Sequence, residues 1–216
     1  MNTECIDLGL ISYGQAYQRQ QQLVFKALEN DTSYIVLCEH HPVITCGRMT
    51  QVENILVSKE DIEKKGVTIK SIDRGGDVTL HAPGQLVIYP ILNLNHYGRD
   101  LHKYLHQLEE VAIALLKDFD ILGQRRDGQT GVWVGAKKIA SIGIGVRKWI
   151  SYHGLGLNVN TDLNLFQLIK PCGLDVTMTS MAQIKGRTLD MAVIKQAALR
   201  QLADQFGLKW LNEVEY

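Results

Sequence analysis

The stretch GVWVGAKKIASIGIGVRKWISYHGLGLNVN, residues 131–160, decides the fold class. Its β-branched and aromatic residues, with glycines as punctuation, predict two or three antiparallel strands joined by tight turns. A helix precedes it. In DLHKYLHQLEEVAIALLKDF, residues 100–119, Leu101, Leu105, Leu108, Ala112, Leu115, Leu116 and Phe119 form one apolar face. A second helix is expected over Leu189–Phe206, with Val193, Ala197 and Leu202 buried. Towards the N-terminus, CIDLGLI reads as a strand, and residues 13–30 keep Tyr17, Leu23, Val24 and Leu28 at helical spacing. SYIVLCEHHPVITCG reads as two buried strands broken at His41 and Pro42, because the residue before a proline is pushed out of the helical region. Ser58 with Asp61 caps a short helix that Gly66 stops, and VTIKSI returns to a strand. Strands and helices mix without regular βαβ alternation. The expected fold is therefore α+β, a mixed or antiparallel central sheet flanked by helices, and not a doubly wound parallel sheet.

The bulk numbers narrow the function. The chain has 216 residues, 45% hydrophobic and 21% charged, which suits one compact domain over residues 1–216. Lys plus Arg and Asp plus Glu both number 23, so no net charge draws nucleic acid or an anionic membrane. The opening MNTECIDLGL lacks the basic and apolar segments of a signal peptide, and the longest apolar run, LVIYPIL, falls far short of the roughly 20 residues that span a bilayer. A soluble cytoplasmic protein is expected. Cys5, Cys38, Cys46 and Cys172 form no CxxC pair and are read as free thiols.

Several common chemistries lack their signatures. There is no GxxxxGK[ST], GIGVRK and GLGLNV do not complete GxGxxG, and no GxSxG elbow occurs. His102 and His106 stand four apart on the long helix, but HKYLH lacks the glutamate of HExxH, so a solvated face is expected. Cys38, His40, His41 and Cys46 match no zinc spacing and read as buried cysteines and turn histidines. Two stretches remain. DRGGDVTLHAPGQLVIYPILNL, residues 73–94, is either a hairpin with a glycine turn or a glycine-lined ligand site offering Arg74, Thr79 and His81. KPCGL, residues 170–174, sets Cys172 in a turn, where it is either a buried filler or a nucleophile. A nucleophile needs a neighbouring base or cation, and Lys137, Lys138, His81 and His153 are the candidates.

Taken together, RGGDVTLHAPGQLVIYPILNL, KKIASIGIGVR, SYHGLGLNVN and KPCGL resemble the lipoyl(octanoyl) transferases in order and spacing, and EHHPVITCGR is similar as well. The resemblance runs from about residue 34 to 183. It implies a fold shared with lipoate-protein ligases and biotin protein ligases, and transfer of an octanoyl or lipoyl group from acyl carrier protein to a lysine of lipoyl-domain proteins. The acceptors implied are the E2 subunits of 2-oxoacid dehydrogenases and the glycine cleavage H protein; no cofactor or metal is implied. Carried over by position, Cys172 is the acyl-accepting cysteine and Lys138 its partner. Arg74, Gly75, Gly76, Asp77, Val78, Thr79, Leu80 and His81 would line the acyl site with Ser141, Ile142, Gly143, Gly154, Leu155 and Gly156. Leu80 stands where an aromatic is common and Ala82 where glycine is usual, which bears on the local turn.

The implied chemistry fits these residue types. Attack of a thiolate on an octanoyl thioester gives another thioester of similar energy and needs no ATP, and attack by a lysine then yields an amide. Lys138 is expected to take the Cys172 proton or hold its thiolate, with backbone N–H groups near Cys172 and the glycine-rich segments as oxyanion donors. Acyl length would be read by an apolar tunnel, where each buried methylene contributes about 0.8 kcal/mol. The competing readings are an ATP-dependent lipoate-protein ligase, a non-catalytic acyl-carrier or lipoyl-domain binding protein, and a cysteine hydrolase releasing octanoate.

Overall fold

The computed structural model describes residues 2–173 and 175–211; Leu174, the last residue of KPCGL, lies outside the described residues. The chain runs through strand Asn2–Ile11 (β1), helix Tyr13–Asn30 (α1), and strands Ser33–His40 (β2) and Val43–Cys46 (β3). Helix Lys59–Lys64 (α2), strands Thr68–Ser71 (β4), Val78–His81 (β5) and Gln85–Ile91 (β6), and helix Leu101–Lys117 (α3) follow. Strands Gln124–Arg126 (β7), Gln129–Val134 (β8), Lys137–Arg147 (β9) and Ile150–Asn158 (β10) lead to helices Met181–Lys185 (α4) and Met191–Phe206 (α5) and strand Lys209–Trp210 (β11). Side chains of Ser12, Ser58, Asp100, Ser180 and Asp190 cap the five helices by accepting first-turn N–H bonds.

An eight-stranded mixed sheet in the order β11-β1-β2-β6-β10-β9-β8-β7 forms the centre. β1 pairs parallel with β2 and β11, and the remaining pairs are antiparallel. Successive side chains on a strand face opposite ways. Tyr34, Val36 and Cys38 of β2 therefore pack with Val87, Tyr89 and Ile91 of β6 under α1, through Ala16, Leu23, Val24 and Ala27. Ile35 and Leu37, with Leu86, Ile88, Leu155 and Leu157, pack on the other face against Leu108, Leu115, Ile194, Ala198 and Leu202 of α3 and α5. Being covered on both faces, β2, β6 and β10 are almost wholly buried. Val193 differs from the expectation: it is 49% exposed, and Ile194 takes the inward position.

The antiparallel core of residues 131–160 forms as expected, and Gly135, at φ 56, marks the β8–β9 turn, but no glycine marks the turn between β9 and β10. β9 and β10 are joined over Lys148 and Trp149, both left-handed at φ 49 and 65, the two-residue geometry that matches strand twist. Gly143, Gly145, Gly154 and Gly156 lie within the strands. A Cβ at Gly145 would fall inside the Tyr152 ring, so this glycine makes room for a cross-strand aromatic.

A smaller sheet, β4-β3-β5, encloses its own core of Ile44, Ile62, Val78, Leu80, Phe166 and Ile169. β5 belongs to this sheet, while β6 lies between β2 and β10 in the large one. Residues 73–94 are therefore not a hairpin. The crossing between the sheets uses Gly84 at φ 81, and Ala82 is not left-handed, so alanine is accommodated there. No described helix is long and apolar enough to cross a membrane.

Candidate active site

Where the two sheets meet, Pro171–Gly173 form a tight 3-10 turn, with Cys172 left-handed at φ 58 and ψ 26. A non-glycine residue there is strained, and the surroundings hold it in place. Lys170 N–H donates to Asn54 O at 2.8 Å, and Gly173 N–H to Lys170 O at 2.9 Å. The Asn54 side-chain amide donates to Asp77 Oδ2, and the Asp77 Oδ1 accepts from Val78 N–H at 2.7 Å. A Cβ at Gly173 would stand 2.6 Å from Asp77 Oδ2. Asp77 thus anchors the cysteine turn to the start of β5. Gly173 N–H already donates to Lys170 O and is therefore not one of the backbone groups free to serve as an oxyanion donor.

Of the four basic candidates, Lys138 reaches the thiol. Its Nζ lies 3.3 Å from Cys172 Sγ, donates to Thr130 O at 3.0 Å, and sits 4.9 Å from the centroid of the Trp133 ring. Lys138 is wholly buried whereas Lys137 is exposed, the consequence of strand alternation on β9. The slot depends on glycine: a Cβ at Gly131, whose φ is 129, would lie 2.7 Å from Lys138 Cε and 2.6 Å from Ala140 O. The main chain of Lys138 is pinned by Thr177 O and Thr179 N–H at 2.9 and 2.8 Å.

Two spaces that share Arg74, Ile142, Gly143 and Cys172 open beside this pair. A narrow inner pocket is lined by Arg74, Thr79, His81, Ser141, Ile142, Gly143, Gly154, Leu155, Gly156 and Cys172, with Tyr13 and His153. The wider outer cleft adds Gly75, Gly76 and Asp77 with Met49, Leu105 and Gln129. Val78 and Leu80 are a correction: alternation along β5 turns them into the small-sheet core while Thr79 and His81 face the pocket. Tyr13, from the first turn of α1, carries no local sequence signal for this role.

The Arg74 guanidinium lies between the sheets, donating to Thr45 O, Thr45 Oγ1 and Gly75 O at 2.9, 3.1 and 3.0 Å. Burial lowers its proton affinity, and the charge of Cys172 opposes that. Its side chain crosses where a Cβ at Gly143 would stand 2.9 Å from Cδ, which explains the glycine in mid-strand. His81 donates from Nδ1 to Gln85 Oε1 at 2.6 Å, and burial pushes its pKa down to about 3. His153 donates from Nε2 to Asp73 Oδ1 at 2.9 Å, and its Nδ1 faces Tyr13 Oη at 3.2 Å. With Tyr152 and Tyr17 also donating to Asp73, that carboxyl is held well below its usual range, His153 being the largest cause. Both histidines are thus engaged elsewhere.

The other sequence candidates lie apart. His102 is exposed, and His106 donates from Nδ1 to Glu109 Oε2 at 2.9 Å. His40, driven down to about 4 by burial, donates from Nδ1 to Ile11 O and accepts from Tyr89 Oη through Nε2. Burial raises the Cys38 thiol, His41 is exposed, and Cys46 is half-buried at the edge of β3. Among the described residues, no group of three or more His, Cys, Asp or Glu side chains is arranged to hold a metal ion.

Comparison with known proteins agrees with this architecture. The family described as "Lipoyl protein ligase A/B catalytic domain" matches residues 12–203. The octanoyltransferase of Syntrophotalea carbinolica is 48% identical over 89% of this chain and 89% of its own, and that of Bacteroides fragilis strain YCH46 is 42% identical over 94% and 97%. Among solved structures, lipoate-protein ligase A bound with ATP superposes with a TM-score of 0.82 at 14% identity, covering 99% of this chain and 90% of its own. Biotin protein ligase from Aquifex aeolicus in complex with biotin and ATP gives 0.56 at 16% identity over 94% and 69%. These two likenesses establish the shared fold; the fold, the matched domain and the octanoyltransferase relatives together show that the chain belongs to the lipoyl(octanoyl) transferase family.

Proposed function

We propose that residues 1–216 act as one acyltransferase unit that moves an octanoyl group from acyl carrier protein to a lysine of lipoyl-domain proteins through a Cys172 thioester. Membership in the octanoyltransferase family makes the chain an acyltransferase of lipoate biosynthesis. The observation that carries the rest is the 3.3 Å approach of Lys138 Nζ to Cys172 Sγ at the junction of the inner pocket and the outer cleft. The apolar lining from Ile142 and Leu155 holds the chain, and the open cleft admits the protein substrates.

In the first step Cys172 Sγ attacks the donor carbonyl carbon. A new C–S bond forms, the donor C–S bond breaks, and the thiol proton passes through Lys138 Nζ to the departing thiol. In the second step the acceptor lysine amine attacks the Cys172 thioester. The C–N bond forms, the Cys172 C–S bond breaks, and Lys138 returns an amine proton to sulfur. Arg74 supplies fixed positive charge beside the developing oxyanion. The E2 subunits of 2-oxoacid dehydrogenases and the glycine cleavage H protein are the acceptors this chemistry suits.

The ligase reading is tested directly. Octanoyl carrier protein plus a lipoyl domain is expected to give octanoylated domain without ATP, whereas free octanoate plus ATP gives none. Product from the second mixture alone would overturn the transferase.

A further inference from the structure

Among the described residues no acidic side chain stands within ion-pair distance of Lys138, but a buried carboxylate is linked to it through one peptide group. Glu109, on α3, is only 4% exposed. Its Oε1 accepts from Gly131 N–H at 2.9 Å. That N–H belongs to the same peptide unit as Thr130 C=O, which accepts from Lys138 Nζ at 3.0 Å. Carboxylate, N–H, C=O and ammonium are therefore connected in series, with the peptide dipole oriented to join the two charges. Hydrogen bonds in such a chain polarise one another at low dielectric. On its other oxygen Glu109 accepts from Arg125 Nε at 3.1 Å and His106 Nδ1 at 2.9 Å, so its orientation is fixed from the solvent side as well.

The same peptide lines the slot. Gly131 leaves room for the lysine methylenes, and the bond from Glu109 holds the Thr130 carbonyl towards Nζ. Without the carboxylate charge the peptide is polarised less, and the Thr130 carbonyl holds the ammonium against Cys172 Sγ less firmly. Nothing in the octanoyl-transfer chemistry requires Glu109 to touch substrate.

We infer that Glu109 is a positioning residue for Lys138, acting through the Thr130–Gly131 peptide to hold the ammonium against the Cys172 thiolate. The inference rests on Lys138 and Cys172 being the reacting pair. Glu109→Gln keeps a side chain of the same length and an oxygen able to accept from Gly131, and removes the charge. The prediction is a fall of about tenfold in both kcat and the rate of Cys172 alkylation by iodoacetamide, with KM for octanoyl carrier protein changed less than about twofold. The thermal midpoint should stay within a few degrees of wild type.

A double-mutant cycle separates positioning from general damage. In a Lys138→Met background Glu109→Gln is expected to slow alkylation no further, because its effect passes through Nζ. If Glu109→Gln does not fold, Glu109→Asp against Glu109→Asn makes the same comparison of charge at matched length, and Asp should be the faster. Wild-type rates in Glu109→Gln, or an equal loss with and without Lys138, overturn the inference. Equal alkylation of wild type and Lys138→Met would instead remove the reacting pair on which it rests.

Discussion

Replacing Lys138 by methionine separates the requirement of the chemistry from the requirement of the fold. Lys138 Nζ stands 3.3 Å from Cys172 Sγ, within reach of the thiol proton, and methionine removes that nitrogen. Octanoyl transfer should therefore fall by about 10²- to 10⁴-fold, and alkylation of the partly exposed Cys172 by more than about tenfold, because the group that takes the thiol proton is lost. Stability is the second readout. Lys138 is wholly buried, with a carbonyl, a sulfur and a ring face as its neighbours, and methionine leaves the Thr130 carbonyl without its donor, a cost of about 1–3 kcal/mol. The assay is pseudo-first-order iodoacetamide labelling resolved by peptide mass spectrometry, with the buried Cys5 and Cys38 as internal controls, together with a thermal melt. Labelling of Cys172 within threefold of wild type would refute the part given to Lys138, and a melting point at or above wild type would refute the cost assigned to the lost Thr130 contact.

Other predictions follow from neighbouring geometry. Gly131→Ala places a methyl 2.7 Å from Lys138 Cε at a φ of 129; it should lower kcat and cost about 1–3 kcal/mol in urea unfolding, and wild-type values for both would contradict the slot described. His40 and His81 are pushed down to about 4 and 3, while the unfolded chain titrates near 6.5, so below that pH the unfolded state binds more protons and stability falls as pH drops. The slope should reach up to about 1.4 kcal/mol per pH unit for each histidine between pH 6.5 and 4, and His81→Gln should flatten it in urea titrations at pH 7, 6 and 5. Donors two carbons shorter than octanoyl should lose about tenfold in kcat/KM, from about 0.8 kcal/mol per methylene; no loss in competition assays would exclude length selection by apolar burial.

Legibility in the sequence follows the range of each signal. Periodicity places the apolar face of α3 from Leu108 onward, the break at His41 and Pro42 and the antiparallel β9–β10 core, because these depend on residues close in the chain; Leu101, at the helix start, is exposed. It does not separate β5 from β6, since which sheet a strand joins is decided by pairing partners far away. Strand alternation says that one of Lys137 and Lys138 points inward; the resemblance, and then the burial of Lys138, says which. Alternation also turns Val78 and Leu80 away from Thr79 and His81, a division that a continuous segment of sequence does not display. The turn at Lys148 and Trp149 carries none of the usual glycine or asparagine signal. Tyr13, Glu109 and the Thr130 carbonyl carry no sequence signal, because each enters the site across a tertiary contact and a backbone oxygen has no letter of its own.

The central claim is that Cys172 carries the acyl group. Intact-protein mass spectrometry after brief mixing with octanoyl acyl carrier protein, comparing wild type with Cys172→Ala, tests it most directly. The account predicts one octanoyl group on the wild type, removable by hydroxylamine, and none on the variant. Transfer to a lipoyl domain that proceeds with no adduct on either protein would contradict it, and would mean direct attack within a ternary complex.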